Sequence, residues 1–139
     1  MRQIRLLYYS QATSEMSLSD MKTILDTART NNGTHKICGM LCYDNNYFLQ
    51  VLEGNAEEVT DLFIKIAADE RHHSVVIVGV QTIDEPVFPE WDMGYAGNSE
   101  YLDTVMKKLE LDSFLPPELS FKQAATLLYH LAKHQTELE

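Results

Sequence analysis

Gln50 sits inside the run YFLQVLEG, residues 47–54, where Phe48, Leu49, Val51 and Leu52 are apolar and Gly54 ends the run. A strand this apolar is expected to be buried on both faces. A buried amide without partners costs about 1–3 kcal/mol for each hydrogen bond lost. Gln50 therefore either reaches solvent or serves a neighbour that needs a donor and an acceptor at one point. Tyr8, in the run QIRLLYYS at 3–10, is a second candidate for buried polar chemistry. Strand alternation puts Ile4, Leu6 and Tyr8 on one face and Arg5, Leu7 and Tyr9 on the other.

Other reactive residues carry less. The chain lacks G-x-G-x-x-G, a Walker loop, G-x-S-x-G and H-E-x-x-H. His130 and His134 are spaced to share a helix face and could bind a metal, but are read as a solvated face, so no metal site is expected. His72 and His73 adjoin Asp69, Glu70 and Arg71, which taken alone describes a solvated turn. Cys38 and Cys42 share a face of one strand, too far apart along it to bridge. They read as reduced core residues of a cytoplasmic protein.

The elements that must position these groups alternate in period. After the first strand, Ser17 and Asp20 form a capping signature, and Leu18, Met21, Ile24, Leu25 and Ala28 make one helical face. Asn31, Asn32 and Gly33 stop that helix. Strands follow at 36–43 and 47–53, joined by a tight turn at Asp44, Asn45 and Asn46. Asn55 with Glu58 caps a second helix over 56–68, presenting Val59, Leu62, Phe63, Ile66 and Ala67. The segment 69–74 breaks it, a strongly apolar strand covers 75–83, and a fifth strand covers 87–95, with Pro89 placing it at an edge or starting it late. The order β-α-β-β-α-β-β predicts an α+β, ferredoxin-like five-stranded sheet with two helices on one face. Beyond Gly97 come a short helix, a break at LPPEL and a longer helix with Ala124, Leu127, Leu128 and Leu131 on one side. Residues 1–97 then form the domain, and 98–139 a helical extension packing on the sheet or on a partner.

The formal net charge of −10 argues against a broad nucleic-acid footprint and against docking to anionic lipid. No apolar run is long enough to span a bilayer, and the N-terminus lacks a signal-peptide layout.

Spacing brings some of these residues together. Ile24, Ala28 and Asn31 fall at i, i+4 and i+7, and Leu25 and Asn32 are seven apart. Leu62, Ile66 and Asp69 align on the second helix, with Arg71 and His72 just beyond. With Tyr8 and Gln50 beneath, this would form a slot for a flat heteroaromatic ligand, apolar on its faces and polar at its rim. From spacing alone, two ordinary amphipathic helices with polar ends remain the simpler account.

Five separated motifs change that balance: RLLYYSQ, ARTNN, GMLCYDNNYFLQVLEG, DERHHS and WDM. Over residues 2–96 they resemble the BLUF family of flavin-based blue-light sensors, most closely its short members with a small helical extension. The resemblance implies a five-stranded sheet with two helices clamping a flavin. It makes Tyr8 and Gln50 the photochemical pair and Trp91 and Met93 the relay near Gln50. It gives Asn32 the flavin's pyrimidine edge with Asn31 beside it, and Ile24 and Ile66 the two ring faces. Phe48 faces the ring; Arg71 and His72 lie near it, positioned with help from Asp69. Lys65 holds a position often basic in the family, and Tyr9 points away. The implied cofactor is FAD, although these ring contacts would also hold FMN. The implied mechanism is Tyr8-to-flavin electron and proton transfer that rearranges the Gln50 hydrogen bonds. The signal then passes through the fifth strand and the C-terminal helices. From its length the chain is expected to carry no catalytic output domain. A downstream protein partner and a homo-oligomer are therefore expected, and neither nucleic acid nor membrane. Two competing readings stay open at this point: a small flavin-reductase-like or acylphosphatase-like enzyme on the same sheet, and a flavin-free structural or ligand-sensing module.

Overall fold

Alternating apolar strands build a five-stranded sheet in the order β4-β1-β3-β2-β5. The strands are β1 (Gln3–Ala12), β2 (Cys38–Asp44), β3 (Tyr47–Asn55), β4 (His72–Ile83) and β5 (Gly94–Gly97). The helices are α1 (Ala56–Ala67), α2 (Glu100–Lys108) and α3 (Phe121–Leu138), with a 3-10 turn at Pro116–Glu118. The computed structural model describes residues 2–14, 20, 23, 26, 27, 37–88, 94–97 and 100–138. Asp20, Thr23, Asp26 and Thr27 are helical, where the first helix is expected. The Ser17 cap and the Asn31-Asn32-Gly33 stop lie outside the described residues.

β3 is central and is buried along seven successive residues, Phe48–Gly54, with Gln50 and Glu53 among its apolar side chains. The hairpin from β2 turns through Asn45 and Asn46, both at positive φ (51° and 66°). That conformation matches the twist of the flanking strands, and asparagine tolerates it better than most residues. Asn55 caps α1, its side chain accepting from the backbone N–H groups of Glu57 at 3.0 Å and Glu58 at 3.3 Å.

The sheet is covered on both sides. One face carries Ile4, Leu6, Tyr8, Leu41, Phe48 and Leu52 under Val59 and Leu62 of α1. The other carries Leu7, Met40, Cys42, Leu49 and Val51 under Leu102, Val105 and Met106 of α2 and Ala124, Leu127, Leu128 and Leu131 of α3. The helical stripe anticipated for α3 is thus its buried face. Cys38 and Cys42 are free thiols in this second core, and burial pushes the Cys42 thiol well above its usual range.

Two local expectations need correction, and the place of β4 in the sheet is new. His72 and His73 do not lie in a turn; they begin β4, pairing with Ala12 and Gln11 of β1. β4 is an edge strand, and Val76, Ile77 and Val80 are exposed on it. An apolar run does not by itself distinguish an edge from the centre of a sheet. The fifth strand occupies 94–97 rather than 87–95 and pairs parallel to β2. Val87 and Phe88 are instead bonded to a side chain, Glu53.

Candidate functional site

Tyr8 and Gln50 stand directly opposite each other across the β1–β3 ladder. Their side chains share the α1 face, where cross-strand partners come within reach. Both are buried, at 2% and 3% exposure, and the Tyr8 hydroxyl donates to Gln50 Oε1. Gln50 also lines the cleft described below, and an amide whose oxygen is engaged keeps its N–H groups as donors. The Tyr8 ring packs edge-on to Phe63 of α1, centroids 5.3 Å apart. Burial pushes the Tyr8 phenol well above its usual range, and the nearby Asp69 charge adds to the shift. Tyr8 therefore holds its proton at any ordinary pH.

The cleft lies between the sheet and the helical layer. Leu41, Phe48, Leu62 and Ile66 give it apolar walls, and Thr27, Lys65, Asp69, Arg71 and His72 complete its lining. Leu41 is the β2 neighbour of Gln50. At the rim, Arg71 folds back on Asp69. Its backbone N–H and its Nε each donate to Oδ1 at 2.9 Å, and Nη2 bonds Oδ2. The Arg71 guanidinium holds the Asp69 carboxyl below its ordinary range, and Asp69 raises Arg71 in turn. His72 has both ring nitrogens engaged. Nε2 lies 2.6 Å from the Ile66 carbonyl, which can only accept, so Nε2 carries the proton. In a neutral ring Nδ1 then accepts from the Ser10 hydroxyl, 2.7 Å away. His72 thus meets the cleft with its ring rather than with a free hydrogen-bonding group, and stands edge-on to Phe48 at 5.9 Å.

Of the residues singled out in the sequence, the structure brings together Tyr8, Phe48, Gln50, Ile66, Asp69, Arg71 and His72. Tyr9 is on the opposite face, against Tyr47. Ile24, Asn31, Asn32, Trp91 and Met93 lie outside the described residues. Sequence reasoning missed Ser10, Thr27 and Leu41. Ser10 follows Tyr8 by two, so alternation alone would have placed it on the same face.

A family model for BLUF, sensors of blue-light using FAD, matches residues 3–94. The chain belongs to the BLUF family. This BLUF chain is 42% identical over 89 residues to the photoactivated adenylate cyclase subunit beta of Euglena longa, covering 63% of the chain and 10% of that relative. The chain spans about a tenth of the length of the first such cyclase relatives it matches. It superposes on the photo-activated state of BlsA with a TM-score of 0.83 at 35% identity, covering 94% of each chain. The dark-state structure of BlrB, a BLUF protein, gives 0.80 at 25% identity over 96% and 97% of the two chains. The cleft suits the family's ligand: apolar side chains offer contact to a flat ring, and Gln50 lines it from the sheet with an amide that can donate. Among the described residues, no helix is long and apolar enough to cross a membrane.

Proposed function

We propose that this BLUF chain responds to blue light through the Tyr8–Gln50 pair and passes the change to a partner protein through its C-terminal helices. The observation that carries the reading is the buried hydrogen bond from Tyr8 to Gln50, two residues that both line the cleft. Ile66 and Ile24 would hold the two faces of the flavin ring, Asn31 and Asn32 its polar edge, and Phe48 would pack beside it. Asp69, Arg71 and His72 would close the rim. FAD is the flavin named for the family, although these ring contacts would hold FMN equally. Bound there, a flavin supplies absorption in the blue and an excited state that accepts an electron.

The remaining steps belong to the chain. Tyr8 gives up an electron, and a phenol that has lost an electron readily loses its proton. That proton leaves along the existing bond to Gln50 Oε1. Return of the electron and the proton restores the Tyr8 phenol but leaves Gln50 rotated or tautomerised. Its changed hydrogen bonds account for a small red shift and bias β5, with Trp91 and Met93, toward a second arrangement. Residues 1–97 act as the sensing unit and 98–139 as the output. A change in oligomeric state is a second route for that output.

Tyr8→Phe and Gln50→Leu test the reading. Both variants should retain flavin, measured as bound flavin per chain, and neither should show the red shift under blue light. A retained shift in either would remove that residue from the switch.

A further inference from the structure

Glu53 is a fully buried carboxylate that the Tyr8–Gln50 chemistry does not use. It lies three residues after Gln50 on β3, so it faces the opposite side of the sheet. Its Oε2 accepts from Arg5 Nε at 2.9 Å and pairs with Arg5 Nη2 at 2.8 Å. Its Oε1 accepts from two consecutive backbone N–H groups, Val87 at 3.0 Å and Phe88 at 2.8 Å. Arg5, opposite Glu53 in the ladder, also donates to Gln81 of β4 at 3.1 Å. A continuous set of bonds therefore runs from β4 through β1 and β3 to residues 87–88.

Those two residues occupy a strategic segment. β4 and β5 are the opposite edges of the sheet, so the connection between them must pass the ends of β1, β3 and β2. Glu53 fastens that connection on its way past the strand that carries Gln50. The next contact leads to the output helices. Phe88 is buried in the core shared with α2 and α3, its ring edge-on to Tyr129 of α3 at 6.3 Å. Stability alone does not call for a charge here, because a buried ion pair is often replaced by apolar residues without loss. What a carboxylate supplies, and an apolar side chain does not, is a fixed position for two backbone amides.

We propose that Glu53 is a positioning residue that joins the Gln50 strand to the last helix. It holds residues 87–88 in register with β3, so a displacement of β3 at Gln50 is handed on to Phe88 and α3. This rests on the reading of Gln50 as the light-switched residue. The test compares the flavin-loaded full chain with its Glu53→Met variant, by absorption and by amide hydrogen exchange in the dark and under blue light. In the wild type, illumination should change exchange at Val87, at Phe88 and along α3 by roughly fivefold, the scale of one hydrogen bond. In Glu53→Met, which has no oxygen to accept from Val87 and Phe88, the red shift should persist at full amplitude while the light-dependent difference in α3 disappears. An undiminished difference in α3 would overturn the coupling role. So would a wild-type red shift with no exchange change at Val87 and Phe88, a result that needs no variant. Absence of any red shift in the wild type would overturn the reading of Gln50 and this proposal with it.

Discussion

Removing one partner of the Tyr8–Gln50 bond should cost more than removing both. The two residues are 2% and 3% exposed, and the bond joins them directly. Gln50→Leu leaves the Tyr8 hydroxyl buried with no acceptor among the described residues, at a cost of about 1–3 kcal/mol. Tyr8→Phe leaves Gln50 Oε1 without its donor, at a cost of about 1 kcal/mol. The double variant replaces both polar groups with apolar ones of similar shape, so it should recover most of that loss. The interaction free energy of the cycle should then be about 1–2 kcal/mol, with the double variant more stable than the two single losses sum to. Unfolding entropy is about 2.1 cal/mol/K per residue. The 139-residue chain should therefore lose about 3 °C of Tm per kcal/mol. Urea unfolding of the four proteins at one fixed flavin concentration measures the cycle, once the flavin affinity of each is measured and its linkage contribution subtracted. Strict additivity, within about 0.3 kcal/mol, would show that the bond is not made and would remove the basis of the switch.

Other outcomes follow from the rim and from the second core. Arg71 holds the Asp69 carboxyl below its ordinary value of 3.8, so the ionised form favours folding. That contribution is full above 3.8 and is lost as pH falls through the lowered folded value. Asp69→Asn should therefore cost the same stability at about pH 7 and about pH 5 and progressively less in stronger acid. Urea midpoints across that range decide it, and a constant cost into strong acid would mean that the pair adds nothing. Gly79→Ala should disturb the docking of α3. A Cβ there would stand 2.5 Å from Phe121 Cδ2 and 3.0 Å from Cε2, forcing the ring aside. Overpacking of this kind costs about 1–3 kcal/mol, or about 3–10 °C of Tm. An unchanged Tm would show that Phe121 yields freely.

The parts of the fold legible in sequence were those set by local rules. Burial of β3 on both faces followed from its apolar run, and the amide within it singled out a position that lines the cleft. The Asn55 cap and the Asn45-Asn46 turn have chemistry readable within a few residues. The α3 stripe at Ala124, Leu127, Leu128 and Leu131 followed from helical period. What was not legible depended on neighbours distant in sequence. The exposure of Val76, Ile77 and Val80 depends on β4 being an edge, which follows from strand order rather than from composition. The direct pairing of Tyr8 with Gln50 is a matter of register, and nothing within either strand declares its partner. The shift of β5 from 87–95 to 94–97 has the same origin, since a strand pattern around Val87 and Phe88 could not reveal that Glu53 takes their amides. Taken alone, His72 looked like part of a solvated turn. Only the approach of Ser10 and the Ile66 carbonyl shows that both its nitrogens are engaged.

The measurement that bears most directly on the central claim is the absorption spectrum of the purified protein, taken in the dark and again under blue light. The expected result is a flavin spectrum that moves slightly to the red on illumination and returns in the dark. A flavin spectrum that only bleaches would indicate net redox chemistry and contradict the Tyr8–Gln50 switch. No visible absorption after addition of FAD would contradict flavin binding itself and leave the buried Gln50 amide without its partner.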